Sequence, residues 1–443
     1  MTSTLVAADE RSDAEPQSES PDVLFEEARR RRRRRWLAGG ALTIAAVIAG
    51  AILVGTGGGA GGSAGVTTHG QPSPSVSGAG PTGAVALAHD RWHVLARSPI
   101  GAPNAASVAW DGRTLLELGG DSSTVHPRAL RTAAAFDPAS GHWRRTAAVP
   151  DAVGSVGALT VWTGSRLFVF GGTTEPGRPP NAVAGLYDPV SNAWTLTPPV
   201  PARLTRGSSL TSAIWAGGRV IVTAITGNPR NPAAKVLAYT PSTNRWSVLP
   251  LHVPRGARPG DLSMITTKRG VVLWLLWSRI WREGNKGFGL RPGVDVFRLT
   301  HGSWRRVTVS WPQGRSVDPI VAGDRILLGA TEIWCGSCSP PLSSSSGWTV
   351  NPQTLALSKL PQGPLAMVGP QPLWSGAAEI TLDTDGTFGT QIVRGDIAFL
   401  DLATRRWYRG PRAPRTLGWL PAVWDGSHLF ILDEQGRLLS YGP

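Results

Sequence analysis

The chain is poor in the residues that carry covalent, redox and metal chemistry. Its 443 residues include two cysteines, Cys335 and Cys338, and eight histidines. A disulfide-stapled scaffold needs many more cysteines, and a zinc site built on this pair would need two further ligands. No nearby His-x-His or second Cys pair supplies them. No glycine loop followed by Lys is present to cradle phosphate, no nucleophile elbow, and no cluster with metal-ligand spacing. Downstream of residue 56 no apolar run reaches bilayer length; the run at 271–277 is too short to span. The expected catalytic, cofactor and metal residues are therefore none, and no cofactor is called for.

Glycine (54), proline (37) and tryptophan (19) are abundant instead. Disordered chains seldom carry so much Trp, so the Gly and Pro punctuate many short strands and turns. The formal charge is +14. Residues 1–35 hold eight Arg (Arg11 and Arg29 to Arg35) and eight acids, so the whole excess lies downstream. Arg outnumbers Lys, as a GC-rich genome also produces. The functional counterpart is attraction to anionic surfaces such as envelope polymers.

Residues 1–20 are polar and acidic and are expected to form a disordered tail. Ser20-Pro21-Asp22 has the signature of a helix start, which predicts a basic juxtamembrane helix over 21–35. Residues 36–56 carry no charge and, at ~1.5 Å per residue, match a bilayer's hydrocarbon thickness of about 30 Å. Seven arginines flank this span on its N-terminal side only, and residues 57–88 hold no Asp, Glu, Lys or Arg. The positive flank stays cytoplasmic, so the expectation is a single-pass membrane protein, N-terminus cytoplasmic, with everything after the span extracytoplasmic. The alternative is a cleaved signal peptide processed near Gly62–Gly65. Residues 57–88 read as a flexible Gly/Ser/Pro linker.

A unit of about fifty residues repeats from residue 90 to 443. One copy runs Leu159-Thr-Val-Trp162-Thr-Gly164, then Arg166–Phe170 and Gly171-Gly172, then Tyr187 and Trp194. It reads as four strands. An aromatic followed seven residues later by Trp recurs as Phe136/Trp143, Tyr187/Trp194, Tyr239/Trp246 and Phe297/Trp304. Leu400/Trp407 and Val350/Leu357 keep the spacing in weaker form. The first-strand ending recurs as Trp110-Asp-Gly, Trp162-Thr-Gly, Trp215-Ala-Gly, Trp374-Ser-Gly and Trp424-Asp-Gly, and more weakly at Lys268-Arg-Gly270 and Val321-Ala-Gly323. The chain stops at Tyr441 on a third strand and the repeat region opens at Trp92 on a fourth. Joining them completes a seventh unit and leaves no open sheet edge in the ring. The fold expected is all-β: a seven-bladed β-propeller with 3+1 strand ring closure, preceded by one transmembrane helix.

These residues resemble the kelch repeat, which places a double glycine after the second strand and a spaced aromatic and Trp in the later strands. Gly119-Gly120 and Gly171-Gly172 match; the other five units have lost one or both glycines. Galactose oxidase is a seven-bladed relative in fold, but its copper site needs a Cys-modified Tyr, a second Tyr and two His. The four tyrosines here fall on or beside repeat positions, so that activity is not expected. The Asp-box turns of sialidase-type propellers are absent.

Four antiparallel strands per blade put the loop into strand one and the loop after strand two on one face of the ring. The turns within each blade lie on the other face. The loops after strand two are long (226–235, 278–293 and 331–347 among them) and rich in Arg. The candidate binding face comprises Arg206, Arg255, Arg258, Asp261, Arg315, Asp318, Arg412 and Arg415, with Trp281 and Trp334 as carbohydrate-stacking residues. Trp348 has the same standing. The bland counterpart is a solvated basic face. Asp151, Asp261 and Asp318 precede first strands, where strand-start hydrogen bonding is the simpler role. Cys335 and Cys338, followed by Pro340-Pro341, are expected to pair as a disulfide pinning their loop. A thioredoxin-like redox role lacks the helix N-terminus it needs.

Two functions remain. One is a membrane-anchored binding or scaffolding module for a cell-envelope protein or an anionic polysaccharide, without nucleic-acid partners. The other is a carbohydrate-active enzyme of isomerase or lyase type with its site at the channel mouth. A channel with clustered acids and Arg favours the enzyme; one lined by apolar or small polar residues favours binding.

Overall fold

The computed structural model describes residues 83–443 except 102–105, 123–127, 175–179, 202–208, 229–230, 283–287, 301, 308–317, 330–346, 366–371, 383–394, 416, 418–421 and 434. The expected tail, juxtamembrane helix, membrane span and most of the linker lie outside the described residues. Among the described residues no helix is long and apolar enough to cross a membrane.

A short helix α1 (Ala84–His89) leads into β1 (Arg91–Arg97). Blade 1 is β2 (Ser107–Trp110), β3 (Leu115–Leu118), β4 (Ala133–Asp137) and β5 (His142–Arg145). Blade 2 is β6 (Leu159–Trp162), β7 (Leu167–Phe170), β8 (Gly185–Asp188) and β9 (Ala193–Leu196). Blade 3 is β10 (Ser209–Ala216), β11 (Arg219–Asn228), β12 (Asn231–Thr240) and β13 (Arg245–Val248). Blade 4 is β14 (Arg258–Thr267), β15 (Gly270–Arg282), β16 (Phe288–Thr300) and β17 (Ser303–Val307). Blade 5 is β18 (Asp318–Ala322), β19 (Arg325–Gly329), β20 (Trp348–Val350) and β21 (Leu357–Lys359). Blade 6 is β22 (Leu373–Trp374), β23 (Ala378–Leu382), β24 (Ile397–Asp401) and β25 (Arg406–Arg409). Blade 7 is β26 (Val423–Trp424), β27 (Leu429–Leu432) and β28 (Arg437–Gly442) with β1 as its outer strand.

All seven sheets are antiparallel, and the architecture is an all-β seven-bladed propeller. The first strands of successive blades touch one another in circular order, β26 against β2 included. The second strands are buried along their whole described length in blades 1, 2, 6 and 7, which is why β7 and β27 are continuously apolar instead of alternating and β3 and β23 nearly so, each carrying one Glu. The double glycines serve close approach. Gly119 and Gly171 have φ of 72° and 80°. A Cβ on Gly119 would meet Ser155 O at 2.2 Å, because the loop arriving at blade 2 lies against it. The turns between third and fourth strands hold left-handed residues, Asn192 (φ 51°) and Asn244 (φ 53°). Each Asn accepts the hydroxyl of its blade's tyrosine, Tyr187 at 2.9 Å and Tyr239 at 2.8 Å.

The recurring aromatic pair is a cross-strand pair. Phe136 faces Trp143, Tyr187 faces Trp194 and Tyr239 faces Trp246, with ring centroids 5.3, 5.2 and 5.2 Å apart. Tyr441 faces Trp92 in the same way at 5.0 Å, although the two stand at opposite ends of the repeat region. Each Trp then donates its indole N–H to a backbone carbonyl where the preceding blade's outer strand ends. Trp143 bonds Ala96 O (3.0 Å), Trp194 Ala147 O (3.1 Å) and Trp246 Pro198 O (2.9 Å). Trp407 bonds Pro361 O (3.2 Å) and Trp92 bonds Pro411 O (2.8 Å).

Blade 4 departs from this pattern. Its sequence keeps the seven-residue spacing, but only two residues separate β16 from β17. Phe297 therefore faces Arg306, and Trp304 faces Leu299. Trp304 is buried, yet its indole N–H has no partner among the described residues.

The last residues of the expected linker are helical. α1 buries Ala84 and Leu87 in the core shared by blades 6 and 7, and the Tyr441 hydroxyl donates to Leu87 O. Asp90 lies beside His428, which sits in the first–second turn of blade 7. The N-terminal segment thus arrives at the turn face of the ring.

Trp246→Phe and Trp304→Phe remove the same N–H from two contexts. Trp246→Phe is expected to cost about 1 kcal/mol more than Trp304→Phe, because only the former loses a hydrogen bond. Urea denaturation followed by circular dichroism measures the difference; equal losses would remove the hydrogen bond's role.

Candidate functional site

The loop face carries two prolonged hairpins. The segments 226–235 and 278–293, expected as irregular loops, are instead largely regular ladder: β11 and β12 pair out to Asn228/Asn231, and β15 and β16 out to Arg282/Phe288. The blade 4 hairpin runs six residues beyond its buried part, which ends at Leu276. At ~3.3 Å per residue that is an arm of about 20 Å. Prolines in the two hairpins fall where the ladder tolerates them: Pro232 where β13 no longer covers β12, and Pro292 where β17 no longer covers β16.

The root of the arm is fixed by a buried carboxylate. Asp295 accepts the Trp277 indole N–H at 3.0 Å and Arg306 Nε at 2.8 Å. Arg306 thereby fills the place opposite Phe297 that Trp occupies in blades 1, 2 and 3. The Trp277 ring lies flat on Gly293, its cross-strand neighbour, where a Cβ would come within 2.3 Å of the indole. Above it, the Arg279 guanidinium sits 4.9 Å from the ring centroid. Ile280, next along, is 52% exposed.

The expected binding-face residues separate into groups. Arg258 and Asp261 lie on β14, opposite Ser278 and Leu276, and Asp261 accepts the Leu262 N–H at 2.8 Å. Arg255 is exposed in the turn before β14. Trp281 lies on β15 opposite Gly289, and Asp318 opens β18. Arg412 and Arg415 belong to the segment between blades 6 and 7, each beside an acid: Asp396 at 3.5 Å and Asp433 at 3.9 Å. Arg206, Arg315, Trp334 and the Cys335/Cys338 pair lie outside the described residues. Asp151 is exposed and paired with Arg131. Trp348, expected beside a loop, is a buried residue of β20. The basic face is thus partly neutralised by its own acids, and blade 4 gathers the largest share of the expected residues.

Two carboxylates escaped the sequence reading. Glu117 and Glu379 are buried on β3 and β23. Aligned by repeat, Glu379 takes the position of Leu115, Leu167, Val220, Val271, Ile326 and Leu429, and Glu117 that of Val169, Val222 and Leu273. A charge in an otherwise apolar column was the available signal. Glu379 stands across from Trp374 and Leu400, in the core between blades 5 and 6. Glu117 receives the Ser98 hydroxyl at 2.5 Å. One oxygen of each has no partner among the described residues. Burial pushes their carboxyls up, to about 8 for Glu117 and about 7 for Glu379. Both are sealed inside the sheets, where no substrate reaches them.

The first strands carry charge only near their leading ends. Arg258, Asp261 and Asp318 are the only charged residues in the described first strands; the rest are Ser, Thr, Ala, Gly, Pro and apolar residues. Among the described residues no group of three or more His, Cys, Asp and Glu could hold a metal ion. One further cleft, of about 480 Å³, lies on the turn face between blades 4 and 5, bordered by Lys268, Arg269, Asp324 and Arg325. Comparison with known proteins finds no family that matches the chain and no curated protein that matches it.

Glu379 makes stability depend on pH. Its folded-state pKa is raised from 4.5 to about 7. The protonated acid is tolerated below pH 4.5, and stability falls as pH rises from there through 7, by up to about 3 kcal/mol. Glu379→Gln is expected to match the native chain at pH 4 and exceed it at pH 8. Thermal midpoints across that range test this; parallel curves would mean the carboxylate is relieved by hydration.

Proposed function

We propose that the chain is a membrane-tethered, extracytoplasmic kelch-type propeller whose loop face binds an envelope partner, an anionic glycan above all. The observation that carries the reading is the pair of prolonged hairpins on blades 3 and 4, raised on one face of an otherwise regular ring. Rigid rings with elongated elements on one face place recognition there. The kelch kinship rests on Gly119-Gly120, Gly171-Gly172 and the aromatic–Trp spacing. The anchor rests on the uncharged stretch 36–56 with Arg29 to Arg35 on one flank. Because Asp90 meets the ring on its turn face, an anchored propeller turns its loop face away from the bilayer. The enzymatic alternative finds no support in the described first strands, whose charges stop near their leading ends, or in Glu117 and Glu379, which are buried within their blades.

The full-length protein is expected to be retained on anionic cell-wall polymer at low ionic strength and released as salt rises, since exposed charges are screened beyond about 10 Å at 0.1 M. Retention that ignores salt, or none, overturns the reading. A C-terminal reporter active only outside the cytoplasm checks the topology.

A further inference from the structure

Blade 5 breaks the ion pairing of the turn face. In blade 2, Arg166 precedes Leu167 and Asp188 follows its ladder partner Tyr187, and the two side chains pair at 3.9 Å. In blade 1, Arg113 pairs likewise with Asp137, which follows Phe136, at 3.6 Å. Blade 5 keeps the arginine, Arg325 before Ile326, but the residue after its ladder partner Val350 is Asn351. Arg325 is exposed and has no ion-pair partner among the described residues. The same holds for Lys268 and Arg269 in the first–second turn of blade 4, and all three cations border the cleft of about 480 Å³ on this face. The one acid of its lining, Asp324, makes no ion pair among the described residues either.

The rim of the cleft is fixed by bonds within the protein. Arg298 of β16 donates across the blade boundary to the Pro352 and Gln353 carbonyls. Asn351 Oδ1 accepts the backbone N–H groups of Gln353 and Thr354, at 2.7 and 3.2 Å. The third–fourth turn of blade 5 is thus tied both to itself and to blade 4. The Gln353 amide and the Ser358 hydroxyl, both in the lining, make no side-chain hydrogen bond among the described residues. The described lining holds no aromatic ring.

We infer that the turn-face cleft between blades 4 and 5 binds a phosphate monoester of a small polyol, with Lys268, Arg269 and Arg325 about the phosphate and Gln353 and Ser358 toward the polyol. Three cations and one carboxylate leave two positive charges on the lining. A phosphate monoester carries about −1.5 to −2 at pH 7, which matches them, whereas a single carboxylate or a phosphodiester does not. Arg offers that phosphate paired donors, and the spare amide and hydroxyl suit hydroxyl groups beside it. A planar base or other ring ligand finds nothing to stack on.

The test is titration of the full-length protein, in detergent, with glycerol 1-phosphate, dihexanoyl phosphatidic acid, the diester glycerophosphoglycerol, and citrate. One or both monoesters are expected to bind more tightly than the diester or citrate. Binding of glycerol 1-phosphate identifies a soluble phosphopolyol; binding of the phosphatidic acid alone identifies a lipid headgroup. Arg325→Ala is expected to weaken that binding roughly tenfold or more. Asn351→Asp restores the acid that blade 2 places beside its arginine, and is expected to weaken binding to a similar degree. Asp401 already accepts the same two turn N–H groups in blade 6, so the substituted turn keeps its form. Arg113→Ala, elsewhere on the turn face and paired with Asp137, is expected to leave binding unchanged. Thermal midpoints establish that the variants fold. Full binding by either Arg325→Ala or Asn351→Asp, citrate binding as tightly as the monoesters, or no monoester binding by the native chain overturns the site.

Discussion

The fold depends on one hydrogen bond repeated around a circle. An indole N–H in each regular blade reaches a carbonyl at the end of the preceding blade's outer strand, at 2.8–3.2 Å in five blades. Such a bond contributes only about 1 kcal/mol net, but it is directional and its acceptor always stands at the same place in the preceding blade. It therefore acts as a spacing rule. Each Trp lies 46 to 48 residues beyond its acceptor in blades 1, 2, 3 and 6. Trp92 obeys the same rule with an acceptor, Pro411, that comes 319 residues later. The rule can hold for Trp92 only if the first strand lies in the last sheet, which is where it is found, beside β28.

Most of the fold was legible because this rule leaves a periodic trace. The first-strand endings at Trp110, Trp162, Trp215, Trp374 and Trp424 and the paired aromatics located strands to within a residue or two. What was not legible is register. In blade 4 the distance from Phe297 to Trp304 equals that from Phe136 to Trp143, yet β16 runs two residues further before a shorter turn and slides the Trp two places along. Counting residues cannot separate turn from strand when one shortens as the other lengthens. The hairpin arms were hidden for a related reason. Their Gly, Pro and Arg content matches that of loops, and only the lack of a covering fourth strand makes Pro292 acceptable in a ladder.

The candidate site was legible in outline and not in detail. The sequence marked the loop face as basic; Arg255, Arg258, Arg412 and Arg415 are described, and Arg206 and Arg315 lie outside the described residues. Which of them lie beside internal acids depends on folds of the chain that bring Asp396 to Arg412 and Asp433 to Arg415 across separate segments. Glu117 and Glu379 illustrate the opposite failure. Each occupies a column that hydrophobic burial fills elsewhere, and the structure accepts each by raising its pKa instead of ionising it. These are carboxylic acids kept neutral in a core, and burial is the cause of their raised pKa.

The departures of blade 4 belong together. Once β17 slides, Trp304 can no longer reach a carbonyl, and the place opposite Phe297 passes to Arg306. An Arg there needs an anion, and Asp295, four rungs in from the arm's exposed Arg279 and on the same side of the sheet, provides it. Asp295 still has an oxygen to fill, and the Trp277 indole fills it. Trp277 in turn lies on Gly293 and carries the guanidinium of Arg279. A chain of contacts thus runs from exposed Arg306 on the outer strand of the blade, through buried Asp295, to the exposed cation of the arm. The interaction that was lost tied blade to blade; the network that replaced it fixes the arm to its own sheet. A hairpin that no fourth strand covers gains little rigidity from backbone pairing alone, so the root network is what holds Arg279 in place on the Trp277 ring.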